Sequence, residues 1–178
     1  MSRKNEKTKK MSTMTNSAAL SFDTSLGPIR LQADGRGLTR IVLPGAQVSG
    51  QCTALPAGPV HSLLAEAARQ IREYLAGKRT DFSLPLAPFG THFQLRVWEI
   101  IREIPWGRTM TYGAIALQLG DRAKARAVGG AAHANPLPLV IPCHRVIGSD
   151  GSLTGFACGL AMKEQLLKLE RDDSNLLR

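Results

Sequence analysis

The sequence predicts an α+β protein of two parts, a small α/β N-terminal domain over residues 20–88 and a helix-turn-helix C-terminal domain over residues 89–178. Apolar and polar residues alternate between residues 20 and 43, which is the pattern of half-buried strands. Apolar residues then recur at helical spacing between residues 60 and 75. In the second part, two short helix patterns follow each other with a glycine between them, which indicates a helix-turn-helix.

Composition and charge indicate a folded protein with an anionic partner. Of 178 residues, 43% are hydrophobic and 21% are charged, which argues against a disordered chain. The net charge of +9 makes nucleic acid the first partner to consider. No apolar run approaches the roughly 18 residues of a membrane span, so no membrane association is expected. Residues 1–19 begin with basic side chains but lack the apolar core of a secretory signal, and we interpret them as a flexible tail that either adds weak affinity for phosphates or has no role.

The three cysteines, Cys52, Cys143 and Cys158, are too few for a disulfide framework, and no two of them have metal-site spacing. Such a sparse set is typical of a reducing compartment. We therefore expect a cytoplasmic protein, or a nuclear one if the source is a eukaryote, that holds no metal.

The N-terminal domain is predicted to begin with a strand meander. Turn signals at residues 25–28 and 34–37 bound a segment in which Ile29 and Leu31 alternate with polar residues. Residues 38–43 continue the sheet.

A loop, one strong helix and a linker complete this domain. Residues 44–59 are rich in Gly, Pro and Ala and are predicted to form the loop. The apolar stripe from Val60 to Leu75 predicts an amphipathic helix, and Gly77 stands where a C′ glycine commonly ends one. Residues 84–88 carry two prolines and are predicted to be a linker.

Three helices are predicted in the first half of the C-terminal domain. A helical stripe runs from Phe93 to Ile104, where a proline stops it. Thr111 is a predicted N-cap for a short helix, Tyr112 to Leu119, that a glycine closes. Asp121 is predicted to cap the next helix, Arg122 to His133. The last two helices form the helix-turn-helix signal.

The second helix of this motif is unusually rich in alanine and glycine. Glycines inside a helix cost about 1 kcal/mol each relative to alanine, and close approach of another surface would justify that cost. Residues 121–145 carry four basic groups and one acidic group, so the motif is basic. Two explanations stay open: the small side chains face a ligand surface, or they face a neighbouring helix of the protein.

Residues 135–142 hold three prolines and are not helical, because proline fixes φ and removes a donor. They lead to Cys143, His144 and Arg145. Residues 149–152 are predicted to form a hairpin turn, and a final helix is predicted from Leu160 to Glu170.

Cys143 is the strongest catalytic candidate. A thiolate is the nucleophile, and neighbouring cations or a helix start after Pro142 are expected to lower the thiol pKa. His144 follows directly, and Glu170 could orient it, which gives a nucleophile, a base and an orienting group. The alternative is that Cys143 is an unreactive core cysteine.

Two stretches together, TYGAIALQLGDRAKARAVGGAAHA and NPLPLVIPCHRVIGSDGSLTGFACGLAMKEQLL, resemble the O6-alkylguanine-DNA alkyltransferases. The resemblance is carried by PCHRV, by the RAVG before it and by the NP between them. It covers nearly all of the chain after residue 20, and the N-terminal part resembles the version of the family's domain that is common in bacteria. It implies a ribonuclease H-like N-terminal domain followed by a winged helix-turn-helix domain.

The resemblance also implies a DNA repair reaction that needs no cofactor. Cys143 would take the alkyl group from O6-alkylguanine, and from O4-alkylthymine, in a single-turnover reaction. His144 would take the thiol proton through a water, and Glu170 would hold the histidine. A base inside the stack is out of reach, so the nucleotide must be flipped out first.

For DNA, the resemblance implies that the second motif helix enters the minor groove of double-stranded DNA. Tyr112 would crowd the phosphate beside the lesion, Arg126 would fill the hole left by the flipped nucleotide, and Asn135 would hydrogen-bond backbone near the active-site loop. The same helix would present Arg122, Ala125 and Gly129 to the groove. A monomeric protein is expected.

The substrate pocket would include Val146 and the loop residues Phe156, Ala157 and Cys158. Cys158 stands where the family usually has glycine, which narrows the pocket, and Ala157 stands where some members have a serine hydroxyl. The zinc ligands of some animal members have no counterparts here. The alternatives are a non-catalytic lesion-binding relative, a winged-helix transcription regulator and a cysteine hydrolase.

Overall fold

The N-terminal half is a three-stranded antiparallel sheet covered by one long helix. The computed structural model describes residues 17–46 and 58–172, so Cys52, most of the predicted basic tail and most of the predicted loop lie outside the described residues. The strands are β1 (Ala18–Thr24), β2 (Gly27–Asp34) and β3 (Gly37–Val42), in the order β1-β2-β3.

The predicted strand meander is confirmed, and its alternation decides which side chains are buried. Ile29, Leu31 and Ala33 of β2 are all fully buried, whereas the residues between them are partly exposed. Leu31 lies opposite Leu20 on β1 and Ile41 on β3, so one face of the sheet is continuously apolar. That face needs a covering layer, because exposed apolar area is costly in water.

Helix α1 (Pro59–Leu75) supplies this layer. Its apolar stripe, which includes the buried Leu64, Ile71 and Tyr74, packs on the sheet, as the helical spacing predicts. Gly77 follows the helix at φ +68°, a left-handed conformation that glycine adopts without strain.

The predicted linker, residues 84–88, also pairs with the sheet. Leu38 N donates to Pro85 O at 2.8 Å, and Ala87 N donates to Leu38 O at 2.9 Å. A Cβ on Gly37 would lie 2.6 Å from Pro85 O, so only glycine permits this close approach.

The C-terminal half consists of short elements around a helix-turn-helix. Helix α2 (His92–Arg102) begins with a capping box formed by Thr91 and Gln94. After α2 come, in order, β4 (Met110–Thr111), α3 (Tyr112–Gln118), α4 (Ala125–His133), β5 (Val146–Ile147) and α5 (Leu160–Asp172). The α+β class is confirmed.

The two helices of the motif are capped as predicted, with one correction. Thr111 accepts from Ala114 N at 3.1 Å and begins α3, whereas Asp121 caps a 3-10 turn over residues 122–124 and not the α-helix itself. Helix α4 therefore begins at Ala125, three residues later than predicted, because the first turn after Asp121 winds more tightly.

On one face of α4, the small residues pack against helix α2. Ala131 and Ala132 are buried, and Trp98 of α2 donates from Nε1 to Ala131 O at 2.8 Å. The opposite face, with Arg126 and Ala127, is exposed. The explanation by a neighbouring helix is therefore confirmed for the buried face, and the exposed face remains available to a ligand surface.

Strands β4 and β5 pair in parallel, with Met110 opposite Val146 and Thr111 opposite Ile147. This pairing brings the start of α3 beside the segment that follows Cys143. The predicted hairpin turn at residues 149–152 is present as a turn, closed by Gly148 N donating to Ser152 O at 2.9 Å. It is not a hairpin, because β5 pairs with β4 and not with a strand beyond the turn.

Within the described ranges, no helix is long and apolar enough to cross a membrane.

Candidate active site

Asn135 holds the proline-rich segment that carries Cys143. Its side-chain amide donates from Nδ2 to Ile141 O at 2.7 Å, and its Oδ1 accepts from Leu137 N at 2.9 Å. The same Nδ2 lies 3.1 Å from Cys143 Sγ. Asn135 therefore replaces the regular backbone pairing that prolines prevent, and it also contacts the candidate nucleophile.

Cys143 begins a 3-10 turn over residues 143–145 and is only 6% exposed. Burial raises the pKa of its thiol to about 11, and the hydrogen bond from Asn135 offsets this only in part. The expectation of a lowered pKa was wrong, because the side chains of His144 and Arg145 are directed to Glu170. The short 3-10 turn also replaces the helix start that was expected to stabilise a thiolate.

The structure brings His144 and Glu170 together. His144 Nε2 lies 2.8 Å from Glu170 Oε1, and both side chains are fully buried. Burial lowers the pKa of His144, so its neutral form is favoured at neutral pH. Among the described residues, the buried His144 Nδ1 has no hydrogen-bond partner. The histidine therefore has one nitrogen fixed by a carboxylate and the other free to accept a proton.

Glu170 is the centre of a buried polar cluster. Arg145 donates from Nε at 2.9 Å to Oε2 and from Nη2 at 2.8 Å to Oε1. Gly107 N donates to Oε2 at 3.1 Å, and Tyr74 Oη donates to Oε1 at 2.5 Å. Burial alone would raise the pKa of Glu170, but the hydrogen bonds from His144 and Arg145 hold it at about 2.

Sequence reasoning missed Tyr74, Lys163 and the pairing of Arg145. Tyr74 lies in the apolar stripe of α1, where a phenol is ordinarily read as a core residue. Lys163 shares a face of α5 with Glu170 seven residues later, and this helical spacing was the available signal.

Lys163 is a fully buried cation beneath the site. Its Nζ donates to Val146 O at 2.5 Å and to Thr154 O at 2.7 Å, so it joins β5 to the loop before α5. Burial lowers the pKa of Lys163, and its charge acts on the Cys143 sulfur. Lys163 therefore anchors the wall of the site.

A surface groove of about 550 Å³ lies between α3, α4 and the loop before α5. Tyr112 Oη donates to Thr154 O at 3.0 Å, which fixes the ring at the groove. Gly129 of α4 faces that ring, and a Cβ at this position would make ordinary van der Waals contact with it at 3.8 Å. The predicted residues Tyr112, Arg122, Ala125, Arg126 and Gly129 all line this groove.

The groove presents positive charge to solvent. Arg122 and Arg126 are both exposed, and within the described part of the chain Arg126 makes no hydrogen bond or ion pair. Their guanidinium groups are free to contact an anionic ligand such as a phosphate.

The predicted pocket residues divide into buried and exposed ones. Val146 and Phe156 are buried, Cys158 is half-buried and Ala157 is exposed. Cys158 is near enough for its charge to act on Cys143. Burial raises the pKa of Cys158, and no cation or base contacts its sulfur among residues 17–46 and 58–172.

The comparisons with known proteins agree along most of the chain. A family model described as the 6-O-methylguanine DNA methyltransferase DNA binding domain matches residues 92–172, and the ribonuclease-like domain of the same family matches residues 20–88.

Relatives and solved structures carry the same name or a related one. The methylated-DNA–protein-cysteine methyltransferase of Methanosarcina acetivorans is 42% identical, with 84% of this chain and 95% of that protein covered. The one of Mycobacterium leprae is 40% identical, covering 85% and 90%. The crystal structure of Mycobacterium tuberculosis OGT in complex with DNA matches with a TM-score of 0.79 at 38% identity, covering 88% of this chain and 94% of that one. With both family domains matched in order, the chain belongs to the 6-O-methylguanine DNA methyltransferase family.

Proposed function

We propose that this protein is a methylated-DNA–protein-cysteine methyltransferase that repairs DNA. It transfers the alkyl group of O6-alkylguanine, and of O4-alkylthymine, from double-stranded DNA to its own Cys143. The observation that carries the proposal is the buried pair of Glu170 with His144, the residue directly after Cys143. The Nδ1 of this histidine has no hydrogen-bond partner among the described residues. A transcription regulator has no use for this arrangement.

The chemical step is an in-line displacement. The Cys143 sulfur forms a bond to the alkyl carbon, and the bond between that carbon and guanine O6 breaks. The thiol proton passes through a water to His144 Nδ1 and then to the departing guanine, so that the products are a thioether and an unmodified base. Because the thiol pKa is about 11, the thiol is protonated at neutral pH and needs this base.

The alkylated nucleotide reaches Cys143 by flipping, which costs a few kcal/mol of stacking and pairing. Helix α4 approaches the minor groove, where the small Ala125 and Gly129 let its backbone come near the sugars. Arg126 enters the stack in place of the flipped nucleotide, Arg122 contacts phosphate and Tyr112 crowds the phosphate beside the lesion.

The flipped base is held in a pocket bounded by Val146, Phe156, Ala157 and Cys158, with Asn135 supporting the Cys143 segment. Cys158 narrows this pocket, so small alkyl groups are favoured over bulky ones. A thioether is a very poor leaving group, so one protein molecule repairs one lesion. No cofactor takes part, because the DNA itself is the alkyl donor, and we propose that the protein acts as a monomer in the cytoplasm.

The decisive experiment is incubation with an oligonucleotide duplex carrying O6-methylguanine, followed by intact-protein mass spectrometry. The protein should gain one methyl group and no more. After trypsin, the methyl should be on the peptide 127–145, which holds Cys143, and not on 146–163, which holds Cys158. The matched control is Cys143→Ala, which should bind the duplex but gain no mass.

Two results would contradict the proposal. A methyl group on the peptide that holds Cys158 would show that Cys158, and not Cys143, is the acceptor. Selective binding of methylated DNA without any mass gain would make the protein a non-catalytic lesion-binding relative.

A further inference from the structure

Tyr74 brings the N-terminal half of the chain into the buried cluster around Glu170. It lies in the last turn of α1 and is fully buried. Its ring packs edge-on against Trp106, with centroids 4.9 Å apart, and against Phe82 at 5.2 Å. The ring is therefore held from two sides, and the position of the hydroxyl is determined by packing.

The hydroxyl contacts the cluster proposed to activate Cys143, and Arg145 is among its partners there. Tyr74 Oη donates to Glu170 Oε1 at 2.5 Å and lies 3.3 Å from His144 Nε2. Burial and the charge of Glu170 raise the pKa of Tyr74, so the phenol stays protonated. Its single proton is directed to Glu170, and its oxygen therefore faces His144 Nε2 with a lone pair.

This geometry selects one form of the histidine. His144 Nε2 faces two hydrogen-bond acceptors, the Glu170 carboxylate and a lone pair of the phenol oxygen. These contacts are favourable only if Nε2 carries a proton that it can donate. In the neutral imidazole, Nδ1 is then the basic nitrogen. This is also the nitrogen that has no hydrogen-bond partner among the described residues.

We infer that Tyr74 is a positioning residue for alkyl transfer, whose hydroxyl holds Glu170 and the Nε2–H form of His144 so that Nδ1 accepts the Cys143 proton. The inference rests on the proposed function. It makes the N-terminal domain part of the chemical step, since Tyr74 is 70 residues from His144 in sequence.

The test is Tyr74→Phe, which keeps the ring and its packing on Trp106 but removes the hydroxyl. The matched control is Ile71→Val, a small change at a fully buried position one turn earlier on α1, whose side chain has no polar atom to join the cluster. Single-turnover rates are measured with methylated duplex and with free O6-methylguanine base. DNA affinity and the thermal midpoint of unfolding are measured on the same samples.

Tyr74→Phe should slow transfer from both substrates by about tenfold, less than the roughly 10²-fold expected for loss of the base itself. DNA affinity should be unchanged. Ile71→Val should transfer at the wild-type rate even if its thermal midpoint of unfolding falls by as much as that of Tyr74→Phe. An unchanged rate in Tyr74→Phe, an equal loss in Ile71→Val, or a loss with the DNA substrate alone would overturn the inference. Failure of the wild type to transfer would instead overturn the proposed function.

A second measurement is made on the wild-type protein and does not depend on the folding of Tyr74→Phe. In wild-type protein labelled with ¹⁵N-histidine, the resonances of His144, assigned by their loss in His144→Gln, should report a proton on Nε2 at neutral pH. A proton on Nδ1, or on both nitrogens, would overturn the inference.

Discussion

Cys143 illustrates how a buried thiol is made reactive by a neighbour and not by its own acidity. Its pKa is raised because burial disfavours the thiolate, and the nearby cations are occupied: Arg145 binds Glu170, and Lys163 binds two carbonyl groups. The thiol is thereby protected from adventitious oxidants and alkylating agents, which react with thiolates. Under the proposed function, proton removal is then the task of His144 when substrate is bound.

His144→Gln should slow methyl transfer by about 10²-fold or more, in the range for loss of a general base. DNA affinity should be unchanged, because the groove residues are elsewhere. The rate is measured by single-turnover mass spectrometry, with His61→Gln, an exposed position on α1, as the control. Full-speed transfer by the His144 variant would contradict its role as a base.

Lys163→Met should lower the free energy of unfolding by about 2 kcal/mol, because two buried carbonyl groups lose a charged donor. The control on the same helix is Lys168→Met, an exposed lysine paired with Glu164 at 2.9 Å, for which a change within about 0.5 kcal/mol is expected. Urea unfolding of both variants measures the difference. Equal stability of the two would show that Lys163 does not anchor the loop that carries Thr154.

At the scale of elements, the small residues of α4 lie on two faces, one towards helix α2 and one towards Tyr112. Ala131 and Ala132 let α2 approach, and Trp98 of α2 donates a hydrogen bond to Ala131 O. On the other side, Gly129 faces the ring of Tyr112, and a Cβ there would make ordinary van der Waals contact at 3.8 Å.

Arg126→Ala tests whether α4 assists flipping. Transfer from methylated duplex should fall, whereas transfer from free O6-methylguanine base should be unchanged, since the free base needs no flipping. Arg96→Ala, an exposed arginine on α2 outside the groove, is the control. If both substrates lose activity equally, Arg126 has a structural role instead.

At the scale of the whole molecule, the two halves of the chain meet in one buried polar cluster. Tyr74 comes from α1, Glu170 from α5, and His144 and Arg145 from the turn between them. The cluster therefore links the stability of the fold to the protonation of the proposed catalytic groups.

Acid should destabilise the protein through this cluster. His144 has a folded-state pKa below its ordinary value of 6.5, so its contribution to stability is present above that pH and is lost on acidification. Glu170 has a folded-state pKa of about 2 against 4.5, so its contribution is present above pH 4.5 and is lost as the pH falls toward 2.

The free energy of unfolding, measured in urea between pH 7.5 and pH 4, should therefore decline from about pH 6.5 downward. His144→Gln has no imidazole to titrate and should show a weaker decline between about pH 6.5 and pH 5. Identical slopes in the two proteins would contradict the assignment of a neutral, buried His144.

The sequence by itself determined most of the elements and indicated the residue that we propose reacts. The alternation around Ile29, the stripe of α1 and the caps Thr111 and Asp121 are local patterns, because each depends on residues only a few positions away. The Cys143-His144 pair is also local, and the family's motif pointed to Glu170.

Only the tertiary structure decided the protonation state and the supporting contacts of the site. Tyr74 reaches Glu170 across 96 positions of sequence, and Lys163 reaches Val146 across 17. The thiol pKa was predicted in the wrong direction, because charge next to Cys143 in sequence is directed away from its sulfur in space. Burial and hydrogen-bond partners are properties of packing between distant segments, and they determine which groups of the site carry protons.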